Sequence, residues 1–405
     1  MDHRMFTGTD HLPSGIPSFD IDLRPLDAAR DLEPVWRSLE DRADPSFFLS
    51  WHWIGSWLEC LPDGVRPHLL TARHDGEMVG LAVLCPRTVR RFGLLPARRW
   101  FLHETGDALF DRIFMEYNGL LVDRRWAAAV TEACLFWLHR SLPRRDELVL
   151  SGLDALTDGA ARHVAERLGG RLELRTGDLC RYVDLEPVRR AGGDYRASLG
   201  RNTRAAVRRT ERLYAGRGPL AFRVAGTVEE ALADFERLET LHQAHWTARG
   251  KPGAFANPAF RPFHRTLIRR GVPAGAVRLC RVGAGGETIG ILYNFAYRGQ
   301  VLNYQGGFAY EPDNRLKPGV LSHVLAIEDS LERGERCYDF MSTPSGHKPL
   351  LANAQRPMNW LVFGPYGVAH RFEAGLRRAG TGTARRCRQA LHDLVQRQKD
   401  AVTAR

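Results

Sequence analysis

At 405 residues, with 44% apolar and 26% charged side chains, the chain is too long for one ordinary core and reads as two folded units, not a disordered or fibrous polymer. Its 58 basic residues, nearly all arginine, outnumber 47 acidic ones by 11, a balance that favours anionic partners. No apolar run approaches the length of a membrane span, and the polar opening residues Met1 to Asp10 do not read as a signal peptide.

The seven cysteines (Cys60, Cys85, Cys134, Cys180, Cys280, Cys337, Cys387) are scattered without CxxC spacing. They read as reduced, buried thiols of a cytoplasmic protein, and no zinc site is expected.

In chain order, residues 19–27 read as a first strand and 28–42 as a helix. A second helix, capped by Ser50, carries Trp51, Trp53 and Trp57, an aromatic stripe expected in the core. Residues 67–84 read as strand, polar turn and strand. Gly76-Glu-Met-Val-Gly80 within them recurs as Gly286-Glu-Thr-Ile-Gly290 at an equivalent place in the second half. Strands are expected near 99–103, 119–122 and 147–150, helices over 124–141 and 158–168, and two short strands at 172–174 and 180–185. Strands alternating with helices in this way predict α/β architecture.

Residues 196–217 hold seven arginines against one acid, Glu211, and Arg201, Arg204, Arg208 and Arg212 fall on one helical stripe. Charge runs are commonly solvated faces. Like charges four residues apart repel, however, so this stripe costs stability unless an anion meets it. A helix over 227–246 follows, carrying Glu239, His242, His245 and Trp246, with Arg249 just beyond it. Two histidines three apart lack the further ligands of a metal site. Glu239 and His242 are candidate general bases.

Residues 286–308 read as a hairpin turning at Arg298-Gly299. Arg315-Leu-Lys317-Pro318-Gly319 then opens a helix that stops at Gly334, and residues 337–341 form a last strand. The free N–H groups at the start of that helix, with Arg315 and Lys317 beside them, suit a pyrophosphate, and Gly306-Gly307 permits a bulge or a close backbone approach. The plain alternative is an ordinary Pro-initiated crossover helix.

This order of strand, strand, basic loop, helix and strand resembles the acyl-CoA-binding core of the GCN5-related N-acetyltransferase (GNAT) superfamily. More closely it is similar to the BcsL/CelD-type acetyltransferase-like domain of cellulose and exopolysaccharide biosynthesis. Residues 195–212, with their Ser-Leu-Gly-x-x-x-Arg pattern, and 241–253 carry the same resemblance, which spans roughly half the chain. With the repeated Gly-Glu motif it implies a tandem, duplicated GNAT-like acyl-CoA N-acyltransferase fold, mixed sheets flanked by helices, as in FemAB-type transferases. The expected divisions are a degenerate first copy over 1–190, an acyltransferase copy over 191–366 and a basic helical tail over 367–405.

The resemblance implies direct attack of an amine or hydroxyl on the thioester of acetyl-CoA or another acyl-CoA, with no metal. Tyr304, Gly306, Gly307, Arg315, Lys317, Pro318, Gly319 and Val320 would hold the cofactor. Glu239, His242, Asp339 and Lys348 are the catalytic candidates, and His323 a further one for contact with substrate. Arg201, Arg204, Arg208, Trp246 and Arg249 would meet substrate or an anion. The family's Gly-Asp/Glu-x-Tyr-Lys pattern is here Met341-Ser-Thr-Pro-Ser-Gly-His347-Lys348, which keeps the lysine and loses the tyrosine and the acid. A small-molecule or glycan-precursor acceptor is expected, in the cytoplasm or at the inner face of the membrane. The basic tail would dock on the body, on a protein partner or on an anionic membrane; nucleic acid is not the expected partner. Two alternatives stand beside this reading: FemAB-like aminoacyl transfer from charged tRNA, and a non-catalytic scaffold in polysaccharide synthesis.

Overall fold

The computed structural model describes residues 18–26, 32–91, 95–143, 146–342 and 348–364. The basic segment 367–405 and residues 343–347 of the altered loop therefore lie outside the described residues. The first half runs β1 (Asp20–Pro25), α1 (Leu32–Arg42), α2 (Trp51–Glu59), β2 (His68–His74), β3 (Glu77–Arg91), β4 (Leu95–Leu102), a two-residue β5 (Leu121–Val122), α3 (Ala127–Ser141), β6 (Glu147–Leu153), α4 (Ala155–Leu168) and β7 (Arg171–Asp184). Two short helices, α5 (Leu185–Arg190) and α6 (Tyr195–Ser198), lead into the second half. That half runs α7 (Arg201–Ala215), β8 (Leu220–Val224), α8 (Val228–Thr247), α9 (Phe260–Gly271), β9 (Val277–Ala284), β10 (Glu287–Tyr297), β11 (Gln300–Phe308), α10 (Pro318–Glu332), β12 (Cys337–Asp339), α11 (Lys348–Leu351) and β13 (Ala354–Gly364).

The strands form one mixed sheet in the order β1-β2-β3-β4-β6-β13-β7-β12-β11-β10-β9-β8, with β5 beside β3. The run β1-β2-β3-β4-β6 from one edge is repeated as β8-β9-β10-β11-β12 from the other, so the molecule is built from two copies of one α/β unit. The last strand of each copy crosses over: β13 pairs with β6 of the first half, and β7 with β12 of the second. Neighbours are antiparallel except β4–β6 and β11–β12.

The repeated Gly-Glu motif marks equivalent hairpins. Asp75-Gly76 and Gly285-Gly286 have positive φ at both residues, the twist a two-residue turn needs, and Arg298-Gly299 turns the next hairpin the same way. A Cβ on Gly80 would meet Val130 of α3 at 2.7 Å, and one on Gly290 would meet Ser322 of α10 at 2.4 Å. Each copy thus needs a glycine where its crossover helix lies against the sheet.

Two local expectations change. Residues 172–174 and 180–184 belong to one continuous strand, β7, because β13 pairs along almost all of it and holds its polar middle in register, while Leu185 opens α5. Ser50 stands at the N-cap of α2, but its hydroxyl donates to the Phe47 carbonyl; the Glu40 carboxylate accepts the Trp51 amide instead.

Trp51, Trp53 and Trp57 are buried in a core that spans both halves. Phe47 stacks on Phe295 of β10 at 4.3 Å, and Trp53 packs on Phe263 of α9. Tyr297 donates to Glu40 of α1 at 2.6 Å, while Arg298 donates to the Glu40 and Ala43 carbonyls. Helices α1, α2, α8 and α9 cover this face of the sheet; α3 and α4, and α10 with α5–α7, cover the other.

Candidate active site

Strands β11 and β12 run parallel and pair only from Gln300 opposite Cys337 to Leu302 opposite Asp339. Beyond that point β11 stays with β10 out to Phe308, while Phe340 turns away and donates its amide to the Arg181 carbonyl of β7. A wedge opens between residues 303–307 and 340–342. From residue 303 on, the edge of β11 facing β12 has no strand partner among the described residues; side chains take part of its place, Gln305 Oε1 accepting the Gly306 amide at 3.1 Å and His242 meeting the Gly306 carbonyl.

Helix α10 begins on the opposite face of that wedge. Pro318 is its first residue, and the amides of Gly319 and Val320 have no carbonyl one turn back, so the positive end of the helix is open. Lys317 is exposed at the cap. Arg315 is exposed but engaged, its guanidinium 2.8 Å from the Asp313 carboxylate. The glycines are required by protein as well as available to ligand. A Cβ on Gly319 would lie 3.3 Å from the Phe308 ring, one on Gly306 2.8 Å from that ring, and one on Gly307 2.8 Å from the Leu238 carbonyl of α8.

The equivalent helix of the first half, α3, opens at Trp126-Ala127 without a Pro-Gly, and Arg124 and Arg125 before it are engaged by Asp44 and Asp123. Asp123, just before α3, accepts the Arg125 amide and guanidinium at 2.9–3.0 Å and faces Arg42; the Arg125 bonds foremost, with Arg42 adding to them, hold its carboxyl down to about 2.

On the α8 face of the wedge lies a buried polar cluster drawn from both halves. Asp339 is fully buried and accepts Tyr117 Oη at 2.5 Å, Arg356 at 2.8 Å and the Met341 amide at 2.7 Å. Arg356 lies over the Tyr182 and Tyr117 rings. Beside them Glu116, also buried, accepts the Ser342 hydroxyl at 2.6 Å and its amide at 3.0 Å. Burial pushes the Glu116 carboxyl up to about 7 against the pull of Ser342. Burial likewise raises Asp339, opposed by Arg356, and lowers Lys348, opposed by Glu116 and Asp339. Lys348 donates to the Phe340 and Met341 carbonyls at 2.5 and 3.1 Å and so fixes the lip of the wedge. The Tyr304 hydroxyl, on the splayed part of β11, is buried and makes no well-formed hydrogen bond among the described residues; burial and then the Glu116 charge push it up, opposed by the nearby Phe114 backbone.

The backbone here is strained. Five described non-glycine residues have positive φ; Asp75 and Arg298 sit in hairpin turns, and the other three, His103, Tyr117 and Met341, surround this cluster. Such conformations cost on the order of 1–3 kcal/mol each and collect at functional sites. His103 anchors the covering loop, its Nδ1–H on Asn118 at 2.9 Å and its Nε2 accepting the Val83 amide.

Of the other candidates, Glu239 points outward into an ion pair with Arg261 of α9, away from the wedge. His242 is buried between the Gly306 carbonyl (3.4 Å) and the Ala254 amide (3.1 Å), and burial drives it down to about 4. Its Nε2 lone pair is occupied, so it pins α8 to β11 and leaves no basic nitrogen for an acceptor. His323 contacts the Tyr338 hydroxyl at 3.1 Å within the core. Trp246 takes Lys251 on its ring, and Arg249 reaches His245, which stacks on the exposed Tyr310. Arg201, Arg204 and Arg208 lie on α7, apart from the cluster. Glu116, Tyr117, Ser342 and Arg356 carry no local sequence signal: Tyr117 meets Asp339 across 222 residues.

Residues 201–349 match the family model described as an acetyltransferase (GNAT) domain, a span from the first residue of α7 into α11 that includes the wedge, α10 and Lys348. The whole fold is a tandem GNAT-like fold. FemX superposes with a TM-score of 0.52 at 9% identity, over 85% of this chain and 97% of that one. The C-terminal domain of a putative lysylphosphatidylglycerol synthetase from Agrobacterium fabrum gives 0.53 at 10%, over 87% and 96%, and a conserved protein of unknown function from Bacteroides thetaiotaomicron gives 0.50 at 7%, over 85% and 100%. No curated protein sequence matches the chain.

Proposed function

We propose that the chain is an acyltransferase that moves an acyl group, acetyl first among them, from an acyl-CoA thioester to an amine or hydroxyl of a small-molecule or glycan-precursor acceptor. The expected setting is exopolysaccharide, cellulose or other cell-envelope glycan synthesis, as in BcsL/CelD-type proteins. The observation that carries this reading is the wedge itself: an unpaired strand edge, an open helix start on one face and a strained, buried acid–base cluster on the other.

Acyl-CoA would supply the activated carbonyl. The amides of Gly319 and Val320, with Lys317, suit its pyrophosphate. A backbone N–H of the splayed segment of β11 would suit a carbonyl oxygen gaining negative charge. Glu116, with its carboxyl near 7, can take the acceptor's proton and return it to the departing thiolate, a stronger base whose ordinary pKa is about 8.5. Asp339, Tyr117 and Arg356 hold the end of β12 in place, and Lys348 holds the lip. Trp246, in the last turn of α8, and Arg249, just beyond it, would meet the acceptor.

Thermal-shift titration with acetyl-CoA tests the reading. Saturation at about 100 times Kd should add about 2.7 kcal/mol and raise the melting temperature by several degrees. A scaffold, or an enzyme that takes its acyl group from charged tRNA, should show no shift.

A further inference from the structure

The arginine stripe of α7 takes no part in the wedge. Val207, Thr210 and Tyr214 form the buried face of the helix, and the Thr210 hydroxyl fixes it to the Arg315 carbonyl at 2.9 Å. At about 100° per residue, Arg201, Arg208 and Arg212 fall within about 40° of one another on the opposite side, flanked by Arg204 and Arg209. Four of these five are exposed and Arg204 is half-buried. None of them forms an ion pair among the described residues. The one acid of the helix, Glu211, is taken by Arg196, which also binds Glu328 of α10. Asp313, whose carboxylate feels the Arg209 charge, is taken by Arg315.

Arg204 and Arg208, and Arg208 and Arg212, are four residues apart and repel, so the isolated protein keeps an arrangement that costs it stability. The ridge is convex, about 16 Å long, and carries no exposed aromatic ring to stack on a base. A single nucleotide would reach one or two of these guanidinia. A flat sheet of phosphates reaches all of them at once. We infer that the outward face of α7 docks the protein on an anionic membrane surface through lipid phosphates, by charge alone and without insertion. This site is separate from the wedge and does not depend on the acyl-transfer reading.

The test is sedimentation of the full chain with vesicles containing about 30% phosphatidylglycerol, against vesicles of phosphatidylcholine alone. Binding is expected only to the anionic vesicles, and it should disappear as salt rises to about 500 mM. Each basic side chain near an anionic leaflet multiplies partitioning about fivefold, so Arg204→Gln/Arg208→Gln/Arg212→Gln should lower it about 100-fold without lowering the melting temperature. The corresponding triple lysine variant should bind like the parent. Absence of vesicle binding by the parent overturns the inference. So does unchanged binding by the glutamine variant, which would move the contact to another basic segment. Tighter binding of an RNA hairpin than of vesicles at matched phosphate, lost in the same variant, would make the ridge a nucleic-acid surface instead.

Discussion

Glu116 is carried by a loop of the first half yet sits at the wedge of the second, where it accepts the hydroxyl and the amide of Ser342, with the Cys180 thiol 3.9 Å away. A carboxyl near 7 is half ionised at neutral pH, the condition under which one group can both accept and return a proton. Glu116→Gln keeps the shape and an oxygen for the Ser342 amide but removes the proton traffic. Turnover of acetyl-CoA with an acceptor amine should fall about 10²- to 10⁴-fold and lose its rise through about pH 7, while the thermal shift with acetyl-CoA remains. The same group bears on stability. Its folded value lies above the ordinary carboxyl value of 4.5, so folding favours the protonated form. The stability it contributes is fully present below about 4.5 and is lost as pH rises toward about 7. The loss is at most about 3 kcal/mol, and denaturant titrations across that window should show a flatter dependence for Glu116→Gln.

Two helix starts, in equivalent places of the two copies, differ in the bases beside them. The arginines before α3 are engaged, Arg125 by Asp123 and Arg124 by Asp44, whereas α10 begins with Pro318, Gly319 and an exposed Lys317. Lys317→Glu puts a negative charge where the pyrophosphate is expected. It should weaken acetyl-CoA about tenfold or more in isothermal titration, with little change in melting temperature. A charged residue at Gly319 is a poorer probe, because it would displace the Phe308 ring before it met a ligand. These local features were legible in the chain, since Pro-Gly after a basic residue, paired left-handed turns and a recurring Gly-Glu motif each act within a few residues. The continuity of β7 was not, because it is imposed by β13, which lies far along the chain. Asp339 and Lys348 could be picked out from their neighbours in sequence. Their partners Glu116, Tyr117 and Arg356 could not, because they are assembled only when the two copies meet.

The two copies also share their stability. β7 and β13 lie side by side at the centre of the sheet, each paired to a strand of the other half, and the largest apolar cluster takes residues from α1 and α2 as well as from α8, α9 and β10. A fragment of residues 191–366 would lose β6 and β7 beside β13, the Phe47 ring stacked on Phe295 and the Trp53 packing on Phe263. Burial of one such aromatic side chain stabilises by about 1.5–3 kcal/mol, and a domain's net stability is only about 5–15 kcal/mol, so these losses consume most of the reserve. The separate fragment should therefore unfold without a cooperative thermal transition and bind a hydrophobic dye. Co-expression with residues 1–190 should restore a single transition, since the missing strand and helices return in trans. A cooperative melt of 191–366 alone would mean that the second copy is self-sufficient and that the crossing strands contribute little. It would also remove the reason for Glu116 to be supplied from across the junction.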